Sequence, residues 1–324
     1  MHRKLYFEDI CNIFEIDVQM QEFYNLADKI TRETKGNLVN VRAIVEFSNY
    51  CRRNCAYCGL NCHNTNLVRY RMKPEEIIST SLQAADAGYK TVVLQGGEDP
   101  EFTAELFAQI IKEIKSKRDI AITLSAGEMT EDEYRIIKNA GCDRYLLKHE
   151  TTDFEIYSKL HPGYSITDRK ECLHTLKRLG FETGGGFMIG LPGQTVETIA
   201  HDLEFIASVP CDMAGIGPFI PHPHTPLAKA ASGSTEKTRR AVAVARIMLP
   251  EINLPATTSL GVLDMEERNK VFYGGANVIM KKVTPPEYRK LYEIYPVKHG
   301  KIKSIAEERA EINRLLESIG KEYD

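Results

Sequence analysis

Eight cysteines occur in the 324 residues, and four of them crowd into the segment from Cys51 to Cys62. Cys51, Cys55 and Cys58 have the spacing C-x3-C-x2-C and follow an apolar run that predicts a buried β-strand. Three neighbouring thiolates can bind three irons of a 4Fe-4S cluster and leave the fourth iron without a protein ligand. The spacing therefore predicts a cluster with one open iron, at the strand end where barrel enzymes keep their chemistry.

An open iron can be chelated by the amino and carboxylate groups of S-adenosylmethionine (SAM). An electron from the cluster then breaks a carbon–sulfur bond and gives the 5'-deoxyadenosyl radical. Tyr57, between the second and third cysteines, is expected to lie over the cluster near the adenine. Gly96, Gly97 and Glu98 end the second predicted strand. Their backbone and carboxylate can hydrogen-bond the methionine ammonium, and the glycines permit close approach.

Residues at other strand ends complete the expected SAM site. Arg169 can supply the bidentate fork that a carboxylate prefers, and Glu150, after the fourth strand, can accept the ribose hydroxyls. We also expect Ser125, at the end of the third strand, and Gly217, on the sixth, to contact SAM. The sequence thus predicts an enzyme that cleaves SAM.

Two other kinds of protein remain alternatives for the cysteines. Structural zinc needs four ligands in paired spacings, and Cys62 or His63 can serve as the fourth. A non-enzymatic iron–sulfur carrier would have the cysteines without the Gly-Gly-Glu motif and the residues expected at the ribose and carboxylate. Arg52 and Arg53, inside the cysteine motif, are expected to be exposed charges, one of which can face the substrate.

Two further motifs lie beyond the cysteines. Residues 190–195, Gly-Leu-Pro-Gly-Gln-Thr, resemble a phosphate-binding turn at a helix start but lack the lysine of a P-loop. We expect these glycines to let the backbone touch adenosine and to cap the next helix. His222 and His224 have a spacing that can suit a metal. Metal binding there is the lesser alternative, because the neighbouring prolines favour a rigid turn and no carboxylate pattern accompanies them.

Alternating strand-like and helix-like runs must position these residues. The apolar, β-branched runs that predict buried parallel strands are residues 41–47, 91–95, 120–125, 144–148, 186–189, 213–219 and 254–260, with 278–280 as a weak eighth. The helical patterns between them are residues 74–87, 104–116, 131–140, 169–179, 196–207 and 235–249. This alternation predicts an α/β fold, a (β/α)8 TIM barrel, complete or partial.

No Gly/Ser-rich linker divides the chain, so one domain is predicted over residues 1–324. Its expected parts are an N-terminal helical extension (1–38), the barrel (39–296) and a C-terminal helical extension (297–324). Phe23, Leu26 and Ile30 are expected on one face of an N-terminal helix. Ser304 and Glu307 predict a capping box that starts a C-terminal one.

The composition limits the class of partner. A net charge of -3 and a pI near 6.3 give no electrostatic footprint for nucleic acid or an anionic membrane surface, so small-molecule or protein partners are expected. Charges interrupt the apolar residues of segment 1–17, unlike a signal peptide, and no apolar run reaches the roughly 20 residues of a spanning helix. We expect a cytoplasmic protein in a reducing compartment.

Seven segments together resemble one family. They are residues 46–51 (EFSNYC), 57–60 (YCGL), 96–100 (GGEDP), 144–151 (RYLLKHET), 190–195 (GLPGQT), 215–223 (GIGPFIPHP) and 275–280 (GANVIM). The chain resembles the radical SAM maturases of FeFe-hydrogenase, the HydE family, from about residue 40 to residue 296. Biotin synthase and methylornithine synthase share the barrel and the first motifs, but the strand-six segment is more similar to the maturases.

This resemblance implies a full TIM barrel with an internal cavity, the SAM cluster at its top and the substrate below. It implies a role in H-cluster assembly, in which the radical attacks a cysteine-bound iron carbonyl cyanide precursor. The three cysteines are then cluster ligands, and Glu150 and Arg169 contact SAM. Thr257, Thr258 and Tyr295 are expected to line the lower cavity as substrate contacts. Lys148 stands where some relatives carry Arg.

The resemblance also implies a small-molecule or organometallic substrate, a reductant such as ferredoxin or flavodoxin, and other hydrogenase maturases as partners. Some members carry a second cluster on C-terminal cysteines, but no cysteine follows Cys211, so one cluster is expected. A methylornithine-synthase-like mutase and a biotin-synthase-like sulfur inserter remain alternatives. The latter needs an auxiliary cluster inside the barrel, yet Cys142 and Cys211 precede their strands and are expected at the opposite end.

Overall fold

The computed structural model describes residues 5–15, 20–297, 300 and 303–324, so parts of segment 1–17 and of the C-terminal extension lie outside the described residues. The helices are α1 (Phe7–Glu15), α2 (Met20–Lys35), α3 (Pro74–Asp86), α4 (Ala104–Lys117), α5 (Glu131–Asn139), α6 (Phe154–Leu160), α7 (Ile166–Arg178), α8 (Val196–Ser208), α9 (Thr235–Met248), α10 (Thr258–Leu263), α11 (Met265–Lys270), α12 (Pro286–Arg289) and α13 (Ile305–Ser318). The strands are β1 (Leu38–Ser48), β2 (Thr91–Gly96), β3 (Ala121–Ser125), β4 (Arg144–Leu146), β5 (Glu182–Gly185), β6 (Met188–Ile189), β7 (Met213–Ala214), β8 (Gly217–Pro218), β9 (Val278–Lys282) and β10 (Glu322–Tyr323).

A curled parallel sheet forms a barrel with helices on its outside. Its order is β1, β2, β3, β4, β5 and β7, and β9 pairs with the other side of β1. Between β7 and β9, Asn253 makes a single bridge to Met213, and Pro255 makes one to Val278. These two bridges occupy the eighth strand position. The α/β barrel predicted from the alternation of elements is confirmed.

Burial of apolar runs explains why these residues form the barrel. β1 is buried along almost its whole length, as expected for a strand covered on both faces. α4 shows the pattern of the surrounding helices, with Phe107, Ile111 and Ile114 on its buried face and the Thr103 side chain capping its first turn. No helix within the described parts of the chain is long and apolar enough to cross a membrane.

Three predicted strands differ from the observed ones. The fifth barrel strand starts at Glu182 instead of residue 186, and residues 188–189 form β6, which pairs with β8 in a separate two-stranded sheet. Residues 213–219 are split into β7 and β8 at Gly215. In segment 254–260 only Pro255 bridges to a strand, because the polar run Thr257, Thr258 and Ser259 starts α10. Helix α6, capped by the Asp153 side chain, was not predicted.

The predicted face of the N-terminal helix is confirmed for Phe23 and Ile30, which pack in or against the core, and is wrong for Leu26. Leu26 is 37% exposed, whereas Tyr24, Ala27 and Ile30 form the buried stripe of α2. The ring of Tyr24 lies on this stripe, and the Arg239 guanidinium stacks 3.7 Å from its centroid.

The capping box at the start of the C-terminal helix α13 is confirmed. Ser304 N donates to Glu307 Oε2 at 2.7 Å, and Glu307 N donates to Ser304 Oγ at 3.3 Å.

A buried arginine supports the weakest part of the barrel. Arg246 on α9 donates to Gly275 O, Pro250 O and Asn277 Oδ1 at 2.7–3.0 Å. Asn277 Oδ1 also accepts from Leu254 N at 2.9 Å. Burial lowers the pKa of Arg246 to about 10. These side-chain hydrogen bonds satisfy backbone groups where the strand ladder is reduced to single bridges.

We predict that Arg246→Met lowers the free energy of unfolding by about 3 kcal/mol, because each buried acceptor left unpaired costs about 1–3 kcal/mol. Urea unfolding under anaerobic conditions measures the change. The control is Arg118→Met, which removes an exposed ion pair with Asp86 and should change the midpoint little. Equal midpoint shifts in the two variants would contradict this role for Arg246.

Candidate active site

The loop after β1 places the three cysteines together with largely buried sulfurs. Burial raises the pKa of Cys55 to about 12 and also raises the pKa values of Cys51 and Cys58. The charge of Cys51 raises the pKa of Cys55 further, and the charges of Cys55 and Cys51 raise the pKa of Cys58 further. The Arg53 backbone N–H donates to Cys51 Sγ at 3.4 Å. Three thiolates so placed repel one another, and bound iron would relieve that repulsion.

Arg69 holds this loop in shape without regular secondary structure. Its Nη1 donates to Asn49 O and Leu60 O at 2.5 and 2.9 Å. Its Nη2 donates to Asn61 O and Asn64 O at 2.7 and 3.3 Å. One side chain therefore binds four backbone carbonyls on both sides of the three cysteines.

The Gly-Gly-Glu motif packs against the start of the cysteine loop. A Cβ on Gly97 would overlap the carbonyl oxygen of Tyr50 and lie 2.7 Å from Cys51 Cβ, so only glycine fits there. The next residue, Glu98, accepts the Arg52 backbone N–H at 2.9 Å through its carbonyl oxygen. The glycine therefore brings the end of β2 into contact with the cysteine loop.

A buried network of charges joins the loops at the carboxyl ends of the strands. Arg53 forms ion pairs with Glu98 and, at 2.5 Å, with Glu128, which follows β3. Glu128 also pairs with Arg169 at 2.5 Å, and Arg169 Nη1 donates to Lys148 O at 2.8 Å. The network thus connects the cysteine loop to the ends of β2, β3 and β4.

The expectation that both arginines of the cysteine motif are exposed is wrong for Arg53. Arg53 is only 4% exposed, and its guanidinium stacks 3.7 Å from the centre of the Tyr164 ring, whereas the Arg52 side chain is 56% exposed. The reason is that Arg53 finds two carboxylates from neighbouring strand ends. Glu128 was not predicted. It lies in the loop directly after β3, close to the predicted Ser125, so its position at a strand end could have indicated it.

The two arginines keep Glu128 ionised. Burial alone would raise the pKa of Glu128, but the positive charges of Arg169 and Arg53 more than offset it and the pKa falls below its ordinary value of 4.5. Burial likewise acts to lower the pKa of Arg169, and the surrounding Tyr157, Glu128 and Glu98 raise it instead. A carboxylate held between two guanidinium groups therefore fixes the orientation of both.

A cavity of about 230 Å³ lies inside the barrel, below the cysteine loop. The predicted site residues that line it are Tyr57, Glu150, Gly217, Thr257, Thr258 and Tyr295. A Cβ on Gly217 would lie 2.5 Å from Ser259 Oγ and 2.9 Å from Thr257 Oγ1, so the glycine leaves space at the wall. Burial raises the pKa of Tyr295, against the opposing effect of the Thr258 hydroxyl, so its phenol stays protonated.

Glu150 has an unusual backbone at the mouth of this cavity. Its φ of 67° lies in the left-handed region that a residue with a side chain seldom adopts. Its Oε2 accepts from Lys148 Nζ at 2.9 Å, and Lys148 also lines the cavity. Lys148 and Glu150, two residues apart in the loop after β4, thus place opposite charges in the same space.

The other predicted SAM contacts lie beside this cavity and do not line it. Gly97 and Glu98 line a separate opening between the ends of β2 and β3, and the Glu98 carboxylate is already engaged by Arg53. Gly96 packs against the Phe47 ring. The last residue of β3, Ser125, pairs with Gln95. Arg169 approaches the cavity wall through its bond to the backbone of Lys148.

The remaining sequence predictions concern residues away from the cavity. In the turn at 190–195, the Gly190 backbone N–H donates to the Gln194 side chain, and the Thr195 side chain caps α8. The glycines of this turn therefore lie at a helix start, as expected. Cys142 and Cys211 precede β4 and β7 and are buried. Both lie at the amino ends of their strands, opposite the cysteine loop, as predicted.

His161 contacts the cysteine loop and was missed by sequence reasoning. Its Nδ1 lies 3.2 Å from Cys55 Sγ, and the residue is 1% exposed. The ring stacks on Tyr157 with centroids 4.3 Å apart and meets Tyr57 edge-on at 5.5 Å. Burial, followed by the charges of Arg169 and Arg53, lowers the pKa of His161 well below 6.5. No local sequence pattern indicates that this histidine contacts the cysteines. The contact arises only in the folded chain, where the end of α6 lies against the cysteine loop.

Buried polar atoms without partners surround the cysteines. Among the described residues, Arg53 Nη1, Asn54 Oδ1, the Tyr157 hydroxyl and His161 Nε2 have no hydrogen-bond partner. Buried polar atoms are nearly always paired, so this cradle fits a polar group bound next to the thiols. No three Cys, His, Asp or Glu side chains in the described segments are close enough to hold a single metal ion. A four-iron cube needs its three sulfur ligands farther apart than one ion does.

Comparison with known proteins agrees with this chemistry. The sequence profile of the Radical SAM superfamily matches residues 45–206. The chain is also 50% identical over 278 residues to the [FeFe] hydrogenase maturase subunit HydE of Thermotoga maritima, which covers 86% of this chain and 80% of that protein. The chain therefore belongs to the HydE family within the radical SAM superfamily. It is an enzyme that uses a 4Fe-4S cluster and SAM.

Solved structures show the same barrel. Methylornithine synthase (PylB) superposes with a TM-score of 0.88 at 25% identity, covering 99% of this chain and 95% of that one. The FeFe-hydrogenase maturase HydG of Carboxydothermus hydrogenoformans gives a TM-score of 0.87 at 22% identity, covering 100% and 76%. The second likeness concerns the fold alone.

We predict that Cys51→Ala, Cys55→Ala and Cys58→Ala each lose the cluster and SAM cleavage, because two thiolates cannot retain the cube. Cys62→Ala is the matched control, since Cys62 is an exposed thiol of the same loop. Iron analysis after anaerobic reconstitution should give about four irons per chain in the wild type and the control. An equal loss of iron in the control, or about eight irons in the wild type, would contradict the assignment.

We predict that Glu128→Gln lowers stability by roughly 1–3 kcal/mol near neutral pH, because both arginines lose a charged acceptor. The pKa of Glu128 is lower in the folded state, so its contribution is complete above the unfolded value near 4.5 and is lost as the pH falls through the folded value. Urea unfolding of wild type and variant at pH 7 and about pH 4 measures this. The stability difference should shrink at the lower pH, and a constant difference would contradict it.

Proposed function

We propose that this enzyme takes part in assembling the H-cluster of FeFe-hydrogenase, by directing a 5'-deoxyadenosyl radical at a cysteine-bound iron carbonyl cyanide precursor. The observation that carries the proposal is the 50% identity to a HydE maturase over 86% of the chain. The reduced cluster, when bound, supplies the electron that cleaves SAM. The protein's own residues then bind, orient and enclose the reacting groups.

The chemistry of the cavity wall supports an organometallic substrate with one charged end. Hydroxyl groups of Thr257, Thr258 and Tyr295 and the ammonium of Lys148 can bind a carboxylate. Apolar side chains, including Met213 and Met280, line other parts of the same space and suit carbonyl ligands. We assign the three hydroxyl residues to substrate binding on this basis.

The SAM site is assigned to the residues between the cluster loop and the cavity. Arg169 is held by Glu128 and by the backbone of Lys148, which fixes its guanidinium beside the cysteines. Glu150 faces the cavity from its strained backbone and can accept the ribose hydroxyls. Tyr57 lies at the boundary of cluster loop and cavity and can cover the adenine. Gly96, Gly97, Glu98, Ser125 and Gly217 complete the assignment as backbone or wall contacts.

The partners follow from the same proposal. A one-electron reductant such as ferredoxin or flavodoxin would deliver electrons to the cluster, and other hydrogenase maturases would supply the precursor and take the product. None of the eight cysteines, all of which are described, forms a disulfide, which suits the reducing conditions of the cytoplasm.

The test uses the reconstituted enzyme with SAM, dithionite and a synthetic cysteine-bound iron carbonyl cyanide complex. We expect 5'-deoxyadenosine formation that depends on the complex, changes in the infrared CO and CN bands, and active hydrogenase when the enzyme is added to a maturation mixture lacking its HydE. Inactive hydrogenase with unchanged infrared bands would overturn the proposal.

A methylornithine-synthase-type mutase is the second candidate, because that structure superposes over nearly the full length of both chains. The same enzyme incubated with L-lysine, the unbranched isomer of 3-methylornithine, separates the two functions. Formation of 3-methylornithine, measured by mass spectrometry, would favour the mutase. Absence of 5'-deoxyadenosine under every condition would instead indicate an iron–sulfur carrier.

We predict that Arg169→Ala weakens SAM binding by about ten- to hundredfold, because a charge-assisted hydrogen bond contributes roughly 1.5–3 kcal/mol. Arg169→Lys should restore binding only in part, since a point charge cannot form the bidentate contact. The matched control is Arg178→Ala, an exposed arginine of the same helix. SAM titration followed by EPR of the reduced cluster measures the dissociation constant, and iron analysis confirms loading. An unchanged constant would remove Arg169 from the site.

A further inference from the structure

We propose that His161 is a positioning residue for the cluster, whose Nδ1–H donates a hydrogen bond to the Cys55 sulfur and thereby raises the reduction potential of the cluster. The inference rests on the 4Fe-4S cluster that the enzyme family uses, and it does not depend on which substrate the enzyme takes.

The position of the imidazole is fixed on several sides. His161 N donates to Tyr157 O at 2.8 Å, and Tyr164 N donates to His161 O at 3.0 Å, so the backbone is held where α6 ends. Tyr157 stacks on one face of the ring at an interplanar angle of 28°, and Tyr57 meets it at 83°. The 3.2 Å contact between Nδ1 and Cys55 Sγ is therefore built by packing around a buried ring.

The direction of this hydrogen bond follows from the state of the sulfur. An iron-bound thiolate has no proton to donate, so the proton in the contact must lie on Nδ1. His161 Nε2 has no partner in the described part of the chain, so no protein acceptor competes for that proton from the other side of the ring. Cys51, in contrast, accepts from the backbone N–H of Arg53.

A hydrogen bond to a ligand sulfur changes the relative stability of the two redox states. Reduction adds one negative charge to the cluster, and part of that charge resides on the sulfurs. A donor aimed at the sulfur therefore stabilises the reduced state more than the oxidised state, which raises the potential. His161 would thus make the first step of the reaction, uptake of an electron, easier.

The test is an EPR-monitored redox titration of the reconstituted cluster without SAM. We expect His161→Phe to lower the midpoint potential of the cluster. At the wild-type midpoint potential, the ratio of reduced to oxidised cluster in this variant should be about tenfold lower, which is equivalent to a shift of about 59 mV for one electron. His161→Asn should keep most of the wild-type potential, because its amide N–H can take the place of Nδ1–H. Tyr157→Phe, which retains the stacked ring, should leave the potential unchanged.

Two outcomes would overturn the proposal. One is a wild-type potential in His161→Phe, and the other is an equal fall in His161→Asn, which would assign the effect to ring packing. Pulsed EPR of the reduced cluster in protein labelled with ring-¹⁵N histidine gives a test even if His161→Phe does not load iron. The His222 ring also packs near the loop, at Gly59, so the labelled protein carries Gln in place of His222. In this protein we expect coupling between the reduced cluster and an imidazole nitrogen. Its absence would also overturn the proposal.

Discussion

The arrangement of this site depends on four charges that neutralise one another, three of them buried and the fourth, on Glu128, 15% exposed. Arg53, Glu98, Glu128 and Arg169 come from separate loops or helices, and each carries a charge that is costly to bury alone. Because removal of any one charge takes an ion-pair partner from its neighbour and leaves the network unbalanced, the four segments are stabilised in this arrangement. The barrel supplies the common rim on which they meet, and the charges set their distances.

This constraint separates the site into two parts with different physical character. The upper part is polar and holds the thiols, the arginines and the unpartnered buried atoms. The lower part is a mixed cavity in which charged residues such as Glu150 stand among apolar walls. Tyr57 lies between the two. A cofactor held in the upper part is therefore next to a molecule held in the lower cavity.

Much of this organisation was predictable from the sequence, because periodicity and spacing report on local structure. The apolar runs identified most strands, and the cysteine spacing identified the loop. The sequence failed where contacts between distant segments decide the outcome. It could not show that Arg53 is buried by two carboxylates or that His161 reaches Cys55. Segment 254–260 was misassigned because its apolar residues suit a strand while its hydroxyl run begins a helix.

The four carbonyls held by Arg69 affect the entropy of cluster binding. Arg69 donates to backbone carbonyls before and after the three cysteines, so contacts within the polypeptide restrict the conformations of the cysteine loop. Ordering one backbone residue costs roughly 1–2 kcal/mol, so each residue that the protein orders in this way is one that the cluster does not have to order when it binds.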